Sequence, residues 1–148
     1  MSKKLLVAAA IAAAFVVAPA LADASCGSPP LAPAIPPASD LAGKTADAAR
    51  AEVIDAYHQV RAYQAALKPY RDCLIAATNT DKQAVADARA NPDKDSQTKI
   101  ANLQQEMNDL QKFYDSTVDT ETQVVAQFNA LHMEDCKTDT DSKVCPKH

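Results

Sequence analysis

The chain has 148 residues and a formal net charge of −4, with four cysteines, two glycines and no tryptophan. This length fits one domain. An acidic chain without clusters of Lys and Arg has no electrostatic basis for binding nucleic acid, and anionic membrane surfaces are disfavoured for the same reason.

Residues 1–22 have the pattern of a secretory signal peptide. Two lysines precede an apolar run over residues 5–18, and small side chains before Asp23 favour cleavage after Ala22, or after Ala24 by a shifted cut. The run is shorter than the roughly 20 residues of a membrane-spanning helix. We therefore expect a periplasmic or secreted protein with no transmembrane segment in the mature chain.

Cys26 follows the apolar run closely enough to raise the alternative of a lipidated cysteine. However, Asp23 stands where a lipidation signal has a bulky aliphatic side chain. This favours a mature chain that carries no lipid, with lipidation at Cys26 kept as the alternative.

Residues 23–43 are predicted to form an extended arm. Prolines fix the backbone dihedral φ and lack an N–H donor, so a dense group of them favours polyproline II and excludes a helix. The prolines of this arm are Pro29, Pro30, Pro33, Pro36 and Pro37.

From Thr45 onwards, the apolar residues follow a helical period. Spacings of four and three alternate, as in helices that pack together in coiled coils. Thr45 is a suitable N-cap, Pro69 is expected to kink the helix near Ala65, and residues 79–81 predict a break before a short connecting helix over residues 81–90. This first seam consists of Ala49, Val53, Ala56, Val60, Tyr63, Leu67, Tyr70, Leu74 and Ala77.

Asn91 and Pro92 end this region, because a residue before proline leaves the α conformation. A second long helix over residues 96–132 is then predicted, capped by Asp95 or Ser96. Its seam has the same alternation and two polar interruptions. It consists of Ile100, Leu103, Met107, Leu110, Tyr114, Thr117, Glu121, Val124, Phe128 and Leu131.

These elements predict an all-α protein. Two long helices of similar length, joined by a short connecting helix, indicate a long antiparallel helical hairpin. The hairpin domain covers residues 44–133, and residues 134–148 form a polar, irregular tail that carries disulfide-forming cysteines.

Four cysteines in an exported chain predict two disulfides. In the hairpin, Cys73 lies roughly 40 Å from the end that carries Cys136 and Cys145, whereas the extended arm is long enough to bring Cys26 to Cys73. We therefore predict Cys26–Cys73 and Cys136–Cys145 as the pairs.

Two groups of short motifs resemble those of small uncharacterised exported proteins of proteobacteria. One is a cysteine and a proline-rich stretch before a helix that carries Val60, Tyr63, Tyr70 and Cys73. The other is Val118-Asp119 followed by residues 124–129. The resemblance implies a Gram-negative periplasmic location and no particular activity.

No pattern of a catalytic or cofactor site is present, and we predict no enzyme, no cofactor and no metal. His58 is expected on the polar side of the first helix. His132, Cys136, Cys145 and His148 have the donor types of a zinc site, but an oxidising compartment favours the disulfide. An acidic group around Asp135, Asp139 and Asp141 lacks the glycine and closing glutamate of a calcium loop, and we interpret it as a solvated tail.

The leading function is therefore a non-enzymatic protein-interaction module that binds an unknown protein or a second copy of itself. A periplasmic chaperone or stress protein and a small inhibitor of an extracytoplasmic enzyme are the alternatives. Ile54 and Tyr57 lie beside the first seam and broaden its apolar face, which favours a partner surface.

Overall fold

The computed structural model describes residues 26–138 and Cys145. Within this part the protein is all-helical and contains no strand, which confirms the predicted class. Its elements are a short 3-10 helix at Ala38–Leu41, helix α1 at Ala46–Ala90 and helix α2 at Ser96–Thr138. The predicted signal peptide, the first residues of the arm, and residues 139–144 and 146–148 lie outside the described residues.

Helix α1 begins where the sequence predicts. Thr45 has extended dihedrals, and its side chain accepts a hydrogen bond from the Ala48 N–H group. This satisfies one of the backbone donors that the first turn of a helix leaves without a partner. The helix ends at Ala90, and Asn91 is the cap before Pro92.

The predicted break at residues 79–81 and the separate connecting helix are wrong. Helix α1 continues through this region to Ala90. Residues 79–81 include no proline or glycine, and the hydroxyls of Thr78 and Thr80 donate to the carbonyls of Leu74 and Ala76 one turn earlier. Polar side chains at this turn therefore did not interrupt the helix.

Helix α2 begins after a tight turn in which the Asp93 carboxylate accepts hydrogen bonds from the Asp95 N–H group and the Ser96 hydroxyl. It extends past the predicted end at residue 132, through Asp135 and Cys136, to Thr138. The first part of the predicted irregular tail is therefore helical.

The first predicted seam forms the core face of α1. Its first eight residues, from Ala49 to Leu74, are all buried. They pack with Val124 and Leu131 of α2 and with Ile35 and Leu41 of the preceding segment in one cluster, and with Leu110 in a second. No helix in the described part is both long and apolar enough to cross a bilayer.

Candidate functional site

The four cysteines form two pairs. Cys26 is bonded to Cys73, with their Cα atoms 5.7 Å apart. Cys136 is bonded to Cys145, with a Cα–Cα distance of 5.5 Å. Both distances lie in the ordinary range for disulfides, and these are the two pairs expected from the sequence.

The Cys26–Cys73 bridge lies in an apolar environment. Cys26 packs against a cluster built on Tyr70, Leu74 and Leu110, with Phe113 and Tyr114 at its edge. The bridge joins the start of the described chain to α1, and Ile35 and Leu41 of the same segment pack in the core.

A polar cluster joins the two helices near their middle. The Arg71 side chain donates from Nε to the Thr117 hydroxyl at 2.8 Å and from Nη1 to the Glu121 carboxylate at 2.7 Å. Gln64 donates to the other Glu121 oxygen at 2.8 Å, and the Arg71 guanidinium lies 5.7 Å from the centre of the Tyr114 ring. Thr117 and Glu121, the two polar interruptions of the second seam, are therefore the partners of Arg71.

The surroundings of this cluster shift the pKa values of the Glu121 carboxyl and the Tyr63 hydroxyl in opposite directions. The hydrogen bond from Arg71 lowers the pKa of Glu121 against the opposing effect of burial. Burial raises the pKa of the neighbouring Tyr63 hydroxyl. At neutral pH the carboxylate stays ionised and the phenol stays protonated, so this pair has no group poised for proton transfer.

A second interhelix contact lies nearer the end of α2. Arg50 donates from Nε to the Asp135 carboxylate at 2.8 Å, although the two residues are far apart in the sequence. The Asp135 side chain is 0% exposed. The prediction that Asp135 lies in a solvated acidic tail is therefore wrong, because its side chain is buried within α2 and pairs with Arg50.

Three rings, those of Tyr57, Phe128 and His132, contact one another in a row between α1 and α2. Tyr57 of α1 and Phe128 of α2 have ring centres 6.1 Å apart. Phe128 and His132 are stacked, with 6.0 Å between centres and 8° between planes. The His132 Nε2 atom lies 3.6 Å from the Cys136 sulfur, so the last turns of α2 hold an imidazole beside the disulfide.

The other predicted groups are distributed as follows. His58 is exposed on α1, while Tyr63 and Tyr70 are buried. His148, Asp139 and Asp141 lie outside the described residues. Arg50, Gln64 and Arg71 were not predicted from the sequence. For Gln64 and Arg71 the available signal was the polar interruption of the opposite seam at Thr117 and Glu121.

Two surface depressions in the described part of the chain are open to solvent. One, of about 150 Å³, lies between the helices beside Leu74 and Leu110, and is below the range of roughly 300–1,000 Å³ typical of small-ligand sites. Another is open and lined by the first turns of α2 alone. The apolar side chains exposed on the helices include Ile54, Tyr57, Val118 and Met133, together with Ile75 at the edge of the first depression.

Comparison of the chain with protein-family models, with curated proteins and with solved structures finds no match.

Proposed function

We propose that this chain is a non-enzymatic protein-interaction module of an extracytoplasmic compartment. It is built as an antiparallel helical hairpin, with the proline-rich arm of residues 23–43 laid along it. The two disulfides support a location outside the reducing cytoplasm. The surface of interaction is one face of α1, and its partner is a second copy of the chain.

The observation that carries the proposal is a strip of exposed side chains on α1, which we call the α1 strip: Ile54, Tyr57, Arg61, Asp72 and Ile75. All five are exposed. Tyr57 and Ile75 are separated by five full turns at about 3.6 residues per turn, so they lie in line about 27 Å apart. The other three lie within about 60° of that line at about 100° per residue.

The α1 strip lies away from the arm. Cys73, where the arm is attached, points about 160° from the line of Tyr57 and Ile75 around the helix axis. A partner can therefore approach the strip without displacing the arm.

The α1 strip is complementary to itself. When two α1 helices lie antiparallel about a two-fold axis near residue 66, Tyr57 of each copy faces Ile75 of the other. Arg61 of each copy then faces Asp72 of the other, whose carboxylate also accepts a hydrogen bond from Lys68 of its own helix at 2.6 Å. A two-fold contact of this kind uses the same patch on both copies. Burial of the apolar pairs supplies the affinity, while the charge pairs set the register.

Sedimentation velocity of two charge-reversal variants tests this arrangement. Wild type is expected to shift from monomer to dimer as its concentration rises. Arg61→Asp and Asp72→Arg alone each place like charges opposite one another, so each is expected to stay monomeric at concentrations where wild type dimerises. An equimolar mixture of the two variants restores opposite charges at both contacts and is expected to form a heterodimer.

Lys112→Asp, a charge reversal at an exposed position of α2 outside the strip, is the matched control and should dimerise as wild type does. A strictly monomeric wild type at millimolar concentration would overturn the proposal. So would single variants that dimerise unchanged, or a mixture that stays monomeric.

A further inference from the structure

The end of α2 holds three metal-ligating side chains close together. The donor atoms of His132, Cys136 and Cys145 all lie within 4.8 Å of one another. We infer that reduction of the Cys136–Cys145 disulfide converts this group into a zinc-binding site, with the three residues as ligands and a water molecule completing the coordination.

The spacing of two of the donors already fits zinc. Zinc lies about 2.3 Å from a thiolate sulfur and about 2.0–2.1 Å from an imidazole nitrogen. At a tetrahedral angle these bond lengths place sulfur and nitrogen about 3.5 Å apart. The distance between His132 Nε2 and Cys136 Sγ is 3.6 Å, so these two ligands need no rearrangement of the backbone.

The helix and the aromatic rings orient these two donors. His132 and Cys136 are one turn apart on the same face of α2. The His132 ring is stacked on Phe128, which in turn contacts Tyr57. Such contacts hold an imidazole in one orientation before the metal arrives, which reduces the cost of ordering the site.

Cys145 supplies the third donor once the disulfide is opened. A dithiol transfers two electrons and two protons to the disulfide, which yields two protein thiols and the oxidised dithiol. Binding of Zn²⁺ by the two thiols and the His132 imidazole then releases two protons, because sulfur binds zinc as the thiolate. The oxidised protein lacks both thiolates and does not form the site.

The C-terminal bridge can be opened while the other is kept. It closes a loop with a sequence separation of only 9, against 47 for Cys26–Cys73. A shorter loop restrains the unfolded chain less, so the folded protein loses less stability when this bridge is reduced. Because the bridge lies beside His132 and not in the core cluster around Tyr70, the two helices stay packed.

Titration of the full chain with Co²⁺ is the test, since cobalt replaces zinc and gives a thiolate-to-metal charge-transfer band. The protein is reduced with one equivalent of a phosphine, which opens one bridge per molecule and does not compete for metal as a dithiol would. The reduced wild type is expected to bind one Co²⁺ with this band and to release it to one equivalent of Zn²⁺. The oxidised wild type is expected to show no band.

Variants separate the site from adventitious binding. His132→Ala keeps both thiols and is expected to weaken Co²⁺ binding about a hundredfold, whereas His58→Ala, which removes an exposed histidine of α1, should bind as wild type does. Circular dichroism of each reduced variant reports whether the helices remain. The inference is overturned if the reduced wild type gives no thiolate band, if His132→Ala binds as tightly as wild type, or if the oxidised protein binds equally well.

Discussion

Leu131 is fully buried in the cluster that joins α2 to α1 and to the segment before it. Leu131→Ala removes contacts on several sides and leaves a cavity, so we expect a loss of about 3 kcal/mol in the free energy of unfolding. Urea denaturation with an unchanged m-value would measure it.

Leu31 provides a matched control, because it is 94% exposed. The same chemical change, Leu31→Ala, should alter the free energy of unfolding by less than about 0.5 kcal/mol. Equal losses for the two variants would contradict the packing described for Leu131.

Glu121 makes the stability depend on pH. Its pKa is lowered in the folded protein, chiefly by the hydrogen bond from Arg71. The ionised carboxylate therefore contributes its full stabilisation at pH values above the pKa of glutamate in the unfolded chain. This contribution is lost as the pH falls through the pKa of the folded protein. Between about pH 6 and about pH 3, we expect wild type to lose more stability than Glu121→Gln.

Urea midpoints measured across this range give the difference between the two proteins. Asp93 and Asp109 also have lowered pKa values, through hydrogen bonds from Ser96 and Lys112. Because both are present in wild type and in the variant, their effects cancel in the comparison. Parallel curves for the two proteins would show that the contact with Arg71 contributes nothing.

At the scale of the helix, the N-terminus of α1 depends on Thr45. Its hydroxyl accepts from the Ala48 N–H group at 3.4 Å. Thr45→Ala should cost about 1 kcal/mol in the free energy of unfolding, since one donor of the first turn loses its protein partner. Thr45→Ser keeps the acceptor and should stay close to wild type in the same denaturation assay, and a loss as large as that of Thr45→Ala would argue against the cap.

The core face of α1 was predictable because residue spacing along the chain alone determines which side chains share one side of a helix. Residues spaced by three and four share one side of a helix, and the seam from Ala49 to Leu74 is the buried face. The break at residues 79–81 was wrong because polar residues carry a weak penalty in an exposed helix, and tertiary packing overrides it. Val85 and Ala88 are buried beyond this point.

The end of α2 was not predictable by local rules. Residues 134–138 are polar, and a polar sequence after the last apolar residue predicts a tail. The helix nevertheless continues through Asp135, whose carboxylate accepts a hydrogen bond from Arg50, which is distant in the sequence. A contact of this kind leaves no periodic signal, whereas the contact of Arg71 with Glu121 left one in the polar interruption of the second seam.

For the whole molecule, the two disulfides should contribute unequally. In the chain-entropy model the Cys26–Cys73 loop is worth about 4 kcal/mol and the Cys136–Cys145 loop about 3 kcal/mol. The double variant Cys26→Ser/Cys73→Ser should therefore have a lower denaturation midpoint than Cys136→Ser/Cys145→Ser. If the order is reversed, the bridge at the end of α2 contributes more to the free energy of unfolding than its loop length implies.

The cysteine pairing itself followed from the length of the elements. A long helix was expected to separate Cys73 from Cys136 and Cys145, which left the predicted arm as the segment able to reach it. The position of His132 beside Cys136 was only partly foreseen, because the sequence gives their spacing of one turn but not the ring of Phe128 that orients the imidazole.

The Cys26–Cys73 bridge has one more consequence, for proteolysis. It closes the chain into a covalent ring that contains the proline-rich segment and the first half of α1. A protease that cuts one peptide bond inside this ring opens it without releasing a fragment. Nicked protein would therefore migrate with the intact chain on a non-reducing gel and separate into two bands only after reduction.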